Sequence, residues 1–195
     1  MRWRGDRFAS IAIDFFRDLL EITAGRFLFG AVMKMDASEF SIRAVLPEDT
    51  EWIRRLMRER WAAEFVVVHG DVFHPHALPG FVAAAGERKG GLITYHIAGK
   101  LCEIVTLDSL IPAHGIGTAL LAAVKTDAVR LGCCALHLTT TNDNLHALRF
   151  YQKRGFAFAA VRPNAVDSTR KVKPVPLLGE NQIPIRDEID MELLI

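Results

Sequence analysis

The sequence predicts a mixed α+β domain, in which one β-sheet carries helices on both of its faces. Three observations predict it: strand-like segments dominate the first half of the chain, helices and strands alternate in the second half, and turn residues separate them. Strands followed by a βαβαβ alternation are typical of a single mixed sheet. The regular pattern starts near residue 41, so we expect a domain over 41–195 and an N-terminal extension over 1–40.

The composition is that of an ordinary globular protein. Of its 195 residues, 50% are hydrophobic and 24% are charged, and the net charge is +1. These values argue against a disordered chain. They also argue against a protein that binds nucleic acid, which would carry an excess of basic residues. No uncharged apolar run approaches the ~20 residues that a membrane-spanning helix needs, so no transmembrane segment is expected.

The cysteine and histidine patterns indicate neither disulfides nor a metal site. The chain has three cysteines, two of them adjacent, and none has the spacing of a zinc ligand. We therefore expect reduced thiols and a cytoplasmic protein. His74 and His76 could bind a metal, but two imidazoles without a third ligand nearby make a poor site, so no metal is expected.

The N-terminal extension contains an amphipathic pattern. Apolar residues from Phe8 to Ile22 recur at helical spacing, which predicts a short helix. That helix could dock on the domain, on a partner subunit or on a membrane surface, and a homodimer stays open. A further alternative is that translation starts at Met33 or Met35.

The first half of the domain is rich in strands. Residues 41–46 alternate like a strand, Pro47 to Thr50 signals the start of a helix, and an apolar stripe follows as far as Trp61. Further extended segments are predicted over 64–69, 81–87, 92–98 and 101–110. We expect a loop over 70–79 and hairpin turns at 88–91 and 99–100.

The second half alternates between the two kinds of element. Helices are predicted over 117–131 and 145–154. Strands are predicted over 135–140, 156–161 and 189–194. A proline-rich connection precedes the last strand.

The first chemistry-bearing pattern is a glycine turn between a predicted strand and a predicted helix. Gly115 and Gly117 let the backbone turn tightly and approach a ligand closely. The first amides of the following helix lack intrahelical partners and lie at its positive end, which suits a phosphate. The lysine of a P-loop and the third glycine of a Rossmann fingerprint are both absent. A turn without any ligand stays an alternative.

The second pattern lies on the helix predicted over 145–154. Asn144, Ala147 and Tyr151 fall at i, i+3 and i+7, and therefore line one face. An amide, a small side chain and a phenol on one face could contact a ligand. A half-buried packing role for Tyr151 is the alternative.

In this order, the two patterns resemble the GNAT superfamily of N-acetyltransferases, which use acetyl-CoA. The similarity covers roughly residues 41–195. One departure is Pro112, where the family usually has Arg or Gln. The resemblance implies a twisted, mostly antiparallel sheet that is splayed open between its fourth and fifth strands, with acetyl-CoA in the opening.

The resemblance also implies a role for particular residues. The backbone of Leu107, Asp108 and Ser109 would bind the pantetheine arm, and Tyr151 would protonate the departing CoA thiolate. The pyrophosphate would be held by His114, Gly115, Ile116, Gly117 and Thr118. Asn144 and Ala147 would line the arm from the other side.

Glu103 is the predicted general base for the attacking amine. By the period of a strand we expect it to share a face with Val105, Leu107 and Ser109. A carboxylate on an otherwise apolar face has a raised pKa, which suits a base. The alternatives are a structural ion pair or a solvent-facing side chain.

The sequence therefore predicts an acetyltransferase that moves the acetyl group of acetyl-CoA to a primary amine. Because no cysteine lies in either pattern, we expect direct attack in a ternary complex. A non-catalytic acyl-CoA-binding regulatory module is the alternative. The acceptor, a small molecule or a peptide or protein amine, would be selected by residues 70–80 and 163–184.

Overall fold

The computed structural model describes residues 40–195. The extension predicted over 1–40, with its helix, therefore lies outside the described residues except for Phe40. The strands are β1 (Ser41–Ala44), β2 (Val66–Val68), β3 (Asp71–Phe73), β4 (Gly80–Ala85), β5 (Arg88–Ala98), β6 (Leu101–Ser109), β7 (Ala135–Thr141), β8 (Ala157–Arg162) and β9 (Glu188–Leu194). The helices are α1 (Thr50–Trp61), α2 (Ile116–Arg130), α3 (Leu145–Gln152) and α4 (Val166–Thr169).

Seven strands form one sheet in the order β1-β4-β5-β6-β7-β9-β8, while β2 and β3 form a separate hairpin. All neighbours in the large sheet are antiparallel except β6 and β7. The prediction of a mixed α+β fold with a mostly antiparallel sheet is therefore confirmed. Within residues 40–195, no helix is long and apolar enough to cross a membrane.

The sheet has a hydrophobic core on each face. On one face, α2 and α3 bury Ile93, Ile104 and Leu136. On the other, α1 and the β2–β3 hairpin bury Leu92 and Val105. We call these the α2 face and the α1 face. Helix α1 follows a turn over Pro47–Asp49, as predicted, because proline is favoured where a helix begins.

The sheet opens between β6 and β7. The two strands pair in parallel only from Leu101 opposite Ala135 to Ile104 opposite Leu138. Beyond that point β6 stays paired with β5 and β7 stays paired with β9, so each strand has one unpaired edge. β6 and β7 are the fourth and fifth strands in the order of the large sheet, where the splay was predicted, and we call this opening the cleft.

Two local predictions are wrong. Residues 70–79 are not all loop, because Asp71–Phe73 forms β3 opposite β2. The turn expected at 88–91 lies inside β5, and the chain reverses earlier, at Gly86, where φ is +58°. The glycines that suggested a turn have a packing role instead: a Cβ on Gly91 would lie 2.7 Å from Cγ2 of Ile116.

A β-bulge interrupts β6. Thr106 pairs with Thr94, but Ile104 pairs with Tyr95, so Val105 is an extra residue on this strand. The alternation of side chains therefore changes phase at Val105. A residue before the bulge and one after it lie on the same face when an odd number of positions separates them, as with Glu103 and Asp108.

Candidate active site

The glycine turn connects β6 to α2, and its two glycines have different roles. Gly115 precedes the helix with φ of +72°, a left-handed conformation that favours glycine. Gly117 is already helical and buried, and a Cβ there would lie 3.3 Å from the ring of Phe150. Gly117 thus makes room for Phe150. The first hydrogen bond of the helix joins Ala119 N to Gly115 O, so the amides of Ile116, Gly117 and Thr118 have no intrahelical acceptor.

Arg154 lies across this turn, although sequence reasoning did not select it. Its guanidinium stacks on the Phe150 ring, 3.5 Å from the ring centre, and donates to Oγ1 of Thr118. A second donor contacts the Phe150 carbonyl at 2.7 Å. None of the described carboxylates is within salt-bridge distance of Arg154. The arginine therefore brings an unneutralised positive charge to the start of α2, where Pro112 offers no donor.

Asn144, Ala147 and Tyr151 lie at the beginning and along one face of α3. Asn144 is the N-cap residue, and its Oδ1 accepts a hydrogen bond of 3.0 Å from the amide of Ala147. This contact fixes the start of α3 beside the cleft. Tyr151 is 7% exposed and lies between the rings of Phe150 and Phe156, at 5.1 and 5.2 Å between ring centres.

Tyr151 is a buried phenol with an unused hydroxyl. Burial raises the pKa of Tyr151, and the charge of Asp108 raises it further. The side chain therefore stays protonated at neutral pH. Within residues 40–195, no hydrogen bond to its Oη is formed. A protonated donor without a partner is available to a ligand.

The end of β6 carries the residues expected to contact a pantetheine arm. The Asp108 carboxylate accepts hydrogen bonds from Arg60 Nε at 2.8 Å and Trp61 Nε1 at 2.9 Å, which tie β6 to the end of α1. The Asp108 side chain thus holds β6 against α1. The backbone edge of Leu107 to Ser109 faces the cleft, since the other edge pairs with β5.

Glu103 lies on the α1 face, but its neighbours differ from the prediction. Because of the bulge, Glu103 shares this face with Val105, Thr106 and Asp108, and the expectation that Leu107 and Ser109 would join it is wrong. The environment is also not purely apolar, because Glu103 Oε1 lies 3.8 Å from Nδ1 of His137. This carboxylate raises the pKa of His137.

A second polar cluster on the α1 face was missed from the sequence. Buried Asp190 on β9 contacts Nε2 of His69 at 2.8 Å, Oγ1 of Thr139 at 2.9 Å and Nε of Arg162 at 2.8 Å. His69 and Gly70 form the tight turn of the β2–β3 hairpin, with φ of +51° and +92°. The available signal for the hairpin was the run of three valines before this His-Gly pair, followed by Val72 and Phe73 after it.

The metal-binding alternative gains no support. His74 and His76 have ring centres 5.7 Å apart, and Nε2 of His76 contacts Nη2 of Arg54 at 3.1 Å. The part of the chain from 40 to 195 contains no group of three or more His, Cys, Asp or Glu that could hold a metal.

Comparison with known proteins agrees with this architecture. Residues 46–156 match the sequence model of the Acetyltransferase (GNAT) family. The chain is 48% identical over 134 residues to the uncharacterized protein YdhI of Bacillus subtilis (strain 168), covering 67% of this chain and 83% of that protein. The chain belongs to the GNAT acetyltransferase family, and the predicted resemblance is confirmed.

Solved structures have the same fold. An IAA acetyltransferase from Bacillus cereus ATCC 14579 matches with a TM-score of 0.61 and 21% identity, over 80% of this chain and 99% of its own. A GNAT family acetyltransferase from Elizabethkingia anophelis with acetyl-CoA bound matches with a TM-score of 0.59 and 19% identity, over 81% and 99%. At these identities the likeness concerns the fold alone.

Proposed function

We propose that this acetyltransferase uses acetyl-CoA and transfers the acetyl group to a primary amine by direct attack in a ternary complex. The observation that carries the proposal is the cleft, which has a phosphate-suited turn at one end and, beside it, a buried tyrosine whose hydroxyl forms no hydrogen bond with the described residues. The bound acetyl-CoA in the Elizabethkingia anophelis relative supports the choice of donor. The domain proposed for this reaction is 41–195.

The donor would be held mainly by the backbone. We propose that the free edge of Leu107 to Ser109 binds the pantetheine arm, and that the turn from His114 to Thr118 binds the pyrophosphate through its amides. Asn144 and Ala147 line the opposite side. Arg154 adds a charged donor near Thr118, which offsets the lack of a donor at Pro112.

Tyr151 is the proposed general acid. When the amine nitrogen bonds to the acetyl carbon, the carbon–sulfur bond breaks, and the sulfur leaves as a thiolate. The Tyr151 hydroxyl donates its proton to that thiolate, and the proton that the nitrogen loses on becoming an amide restores the phenol. Burial raises the pKa of the phenol, and burial in the same pocket would raise the proton affinity of the thiolate as well.

Glu103 is the proposed general base. An ammonium ion must lose a proton before its nitrogen can attack, and the Glu103 carboxylate accepts that proton on the α1 face. We propose approach from this face because Glu103 lies on it. His137 is the neighbour of this carboxylate, and the contact with Glu103 raises the pKa of His137.

The two buried cysteines support direct attack over an acetyl-cysteine intermediate. Cys102 and Cys133 are buried, and burial raises the pKa of Cys102 to about 12, which leaves it almost entirely a thiol. All three cysteines are free, which also supports the proposed cytoplasmic location.

A homodimer is a separate proposal.

Release of CoA thiol tests the proposal. Purified protein is mixed with acetyl-CoA and a panel of primary amines, and free thiol and acetylated amine are measured together. We expect equal amounts of both products. Binding of acetyl-CoA without thiol release would instead support the acyl-CoA-binding regulatory module. Thiol release without acetylated amine would contradict transfer to an amine.

A further inference from the structure

We propose that Lys173 binds an anionic group of the acceptor, so that the substrates of this enzyme are primary amines that also carry a carboxylate or a related anion. The inference rests on the acetyl transfer proposed above and specifies its acceptor. It starts from one unusual side chain in the connection between β8 and β9.

Lys173 is a half-buried cation without an acidic partner. Its Nζ lies 3.4 Å from the carbonyl oxygen of Trp61 and 6.0 Å from the centre of the Trp61 ring. Among the described side chains of residues 40–195, which leave out that of Glu180, no carboxylate is within 4.0 Å of this Nζ. Burial lowers the pKa of Lys173. Withdrawing an ammonium from water without an anion nearby is unfavourable, and a bound anion would offset that cost.

The backbone holds Lys173 in this position. Its amide donates to the carbonyl of Thr169 at 3.0 Å, at the end of α4. The neighbouring Arg170 then fixes the following turn through the carbonyls of Pro176 and Ile185, at 2.9 and 2.5 Å. The lysine is therefore presented by an ordered segment, and exposed Lys171 two residues earlier provides a matched control.

The position of Lys173 connects it to the cleft. The indole of Trp61 reaches from Lys173 to Asp108, to which it donates a hydrogen bond of 2.9 Å. Asp108 lies on the part of β6 that faces the cleft without a β7 partner. Lys173 thus lies one side chain away from the cleft, on the α1 face from which the acceptor approaches.

The charges on this face suit an acceptor with two opposite charges. Glu103 offers a negative charge to an ammonium, since the other acid on this face, Asp190, is buried and paired with Arg162, whereas Lys173 adds a positive charge at the rim. An amine that carries an anionic group matches both. A lysine that only caps the end of α1 is the competing explanation, since the Trp61 carbonyl ends that helix.

Matched pairs of amines test the inference. Initial rates are measured for β-alanine against 3-aminopropanol, for α-amino acids against their amides, and for 2-aminoethylphosphonate against ethylamine. We expect the wild-type enzyme to prefer the anionic member of at least one pair by ~10-fold or more in kcat/KM. The phosphonate pair distinguishes a phosphate-like group from a carboxylate.

Lys173→Met should remove this preference. We expect kcat/KM for the anionic amine to fall ~10-fold or more, while the neutral amine and the KM for acetyl-CoA stay within about 2-fold. Lys173→Arg should keep part of the preference, and Lys171→Met should keep all of it. Melting temperatures of all variants are measured in parallel.

Three results would overturn the inference while leaving acetyl transfer intact. They are a wild-type enzyme without preference in any pair, a preference that survives in Lys173→Met, and an equal loss for both members of a pair together with a lower melting temperature. The last would assign Lys173 to the α1 cap. Absence of CoA release with every amine would instead contradict the proposed function itself.

Discussion

Asp49 and Lys173 both withdraw a charge from water, and they differ in what surrounds it. The Asp49 side chain is inaccessible to solvent, and its two oxygens contact Arg43 at 2.7 and 2.9 Å, Lys89 at 2.6 Å and the amide of Leu46 at 2.9 Å. Lys173 has one long contact, to a carbonyl. The chain itself supplies oppositely charged partners for Asp49, whereas Lys173 has only a carbonyl.

The contrast extends to the regions around these residues. Near β1, the polar atoms of Asp49 are matched by the chain itself, which stabilises the packing of α1. Around the cleft, neither Tyr151 Oη nor Arg154 Nε forms a hydrogen bond with the described residues. Unused donors cost stability, and they are retained where a ligand completes them. Substitutions at the cleft should therefore impair function, whereas those at Asp49 should impair folding.

Tyr151→Phe should give the largest functional effect. The ring keeps its packing against Phe150 and Phe156, and only the proton donor is lost. We expect kcat to fall ~10- to 10³-fold, with unchanged affinity for acetyl-CoA and unchanged stability. Steady-state kinetics and calorimetry measure the two quantities. A loss of affinity with normal turnover would make Tyr151 a binding residue.

Glu103→Gln should reduce activity by ~10²-fold near neutral pH, because the variant keeps the shape but not the basicity. Activity should recover partly at alkaline pH, where free amine is abundant. The pKa of His137, followed by NMR, should fall, since Glu103 is what raises it. A wild-type pH profile would move the base to another group, such as Asp108 or a water chain.

Asp49→Ala should affect stability instead. It leaves Arg43 and Lys89 without their buried partner, and we expect a loss of ~3 kcal/mol in the free energy of unfolding, measured with urea. The paired cations lower the pKa of Asp49, so its contribution is complete above the ordinary aspartate pKa of ~3.9 and is lost as the pH falls towards the folded value. Asp49→Asn should therefore flatten the acid limb of the stability profile.

In the Asp49→Ala variant, kcat measured on the folded fraction should stay near that of the wild type. A large drop in kcat without a loss of stability would contradict the assignment of this region to folding alone.

Arg154→Gln should give the smallest effect, a ~10-fold loss of affinity for acetyl-CoA, because one charged donor near Thr118 is removed. Acetyl-pantetheine lacks the phosphates, so its kcat/KM should not change. Exposed Lys153→Gln is the matched control. Equal losses for both donors would mean that Arg154 merely holds α3 against α2.

Local signals in the sequence predicted much of this fold. Pro47 signalled the start of α1, and Asn144 and Gly155 bracketed α3, because helix ends are specified by residues within a few positions. The shared face of Asn144, Ala147 and Tyr151 follows from helix geometry alone.

Features that depend on distant pairing could not be predicted. His69 contacts Asp190 across 121 positions, and Lys173 contacts Trp61 across 112. Neither segment contains a signal for the other. The reach of Arg154 to Thr118 likewise depends on how α3 packs against α2. The face of Leu107 was mispredicted because the bulge at Val105 arises from pairing with β5, and strict alternation assumes that no such residue is inserted.

Because of the bulge at Val105, the face to which each side chain of β6 points depends on the number of residues in the strand as well as on their identity. With the insertion, Glu103 and Asp108 point to the same side although five positions separate them. Deleting one residue there would rotate the far end of the strand by half a period, turn Asp108 away from Arg60 and Trp61, and bring Leu107 to the acceptor side. Family members of different β6 length would thus present different chemistry from nearly the same sequence, and an alignment that places the gap elsewhere would conceal the change.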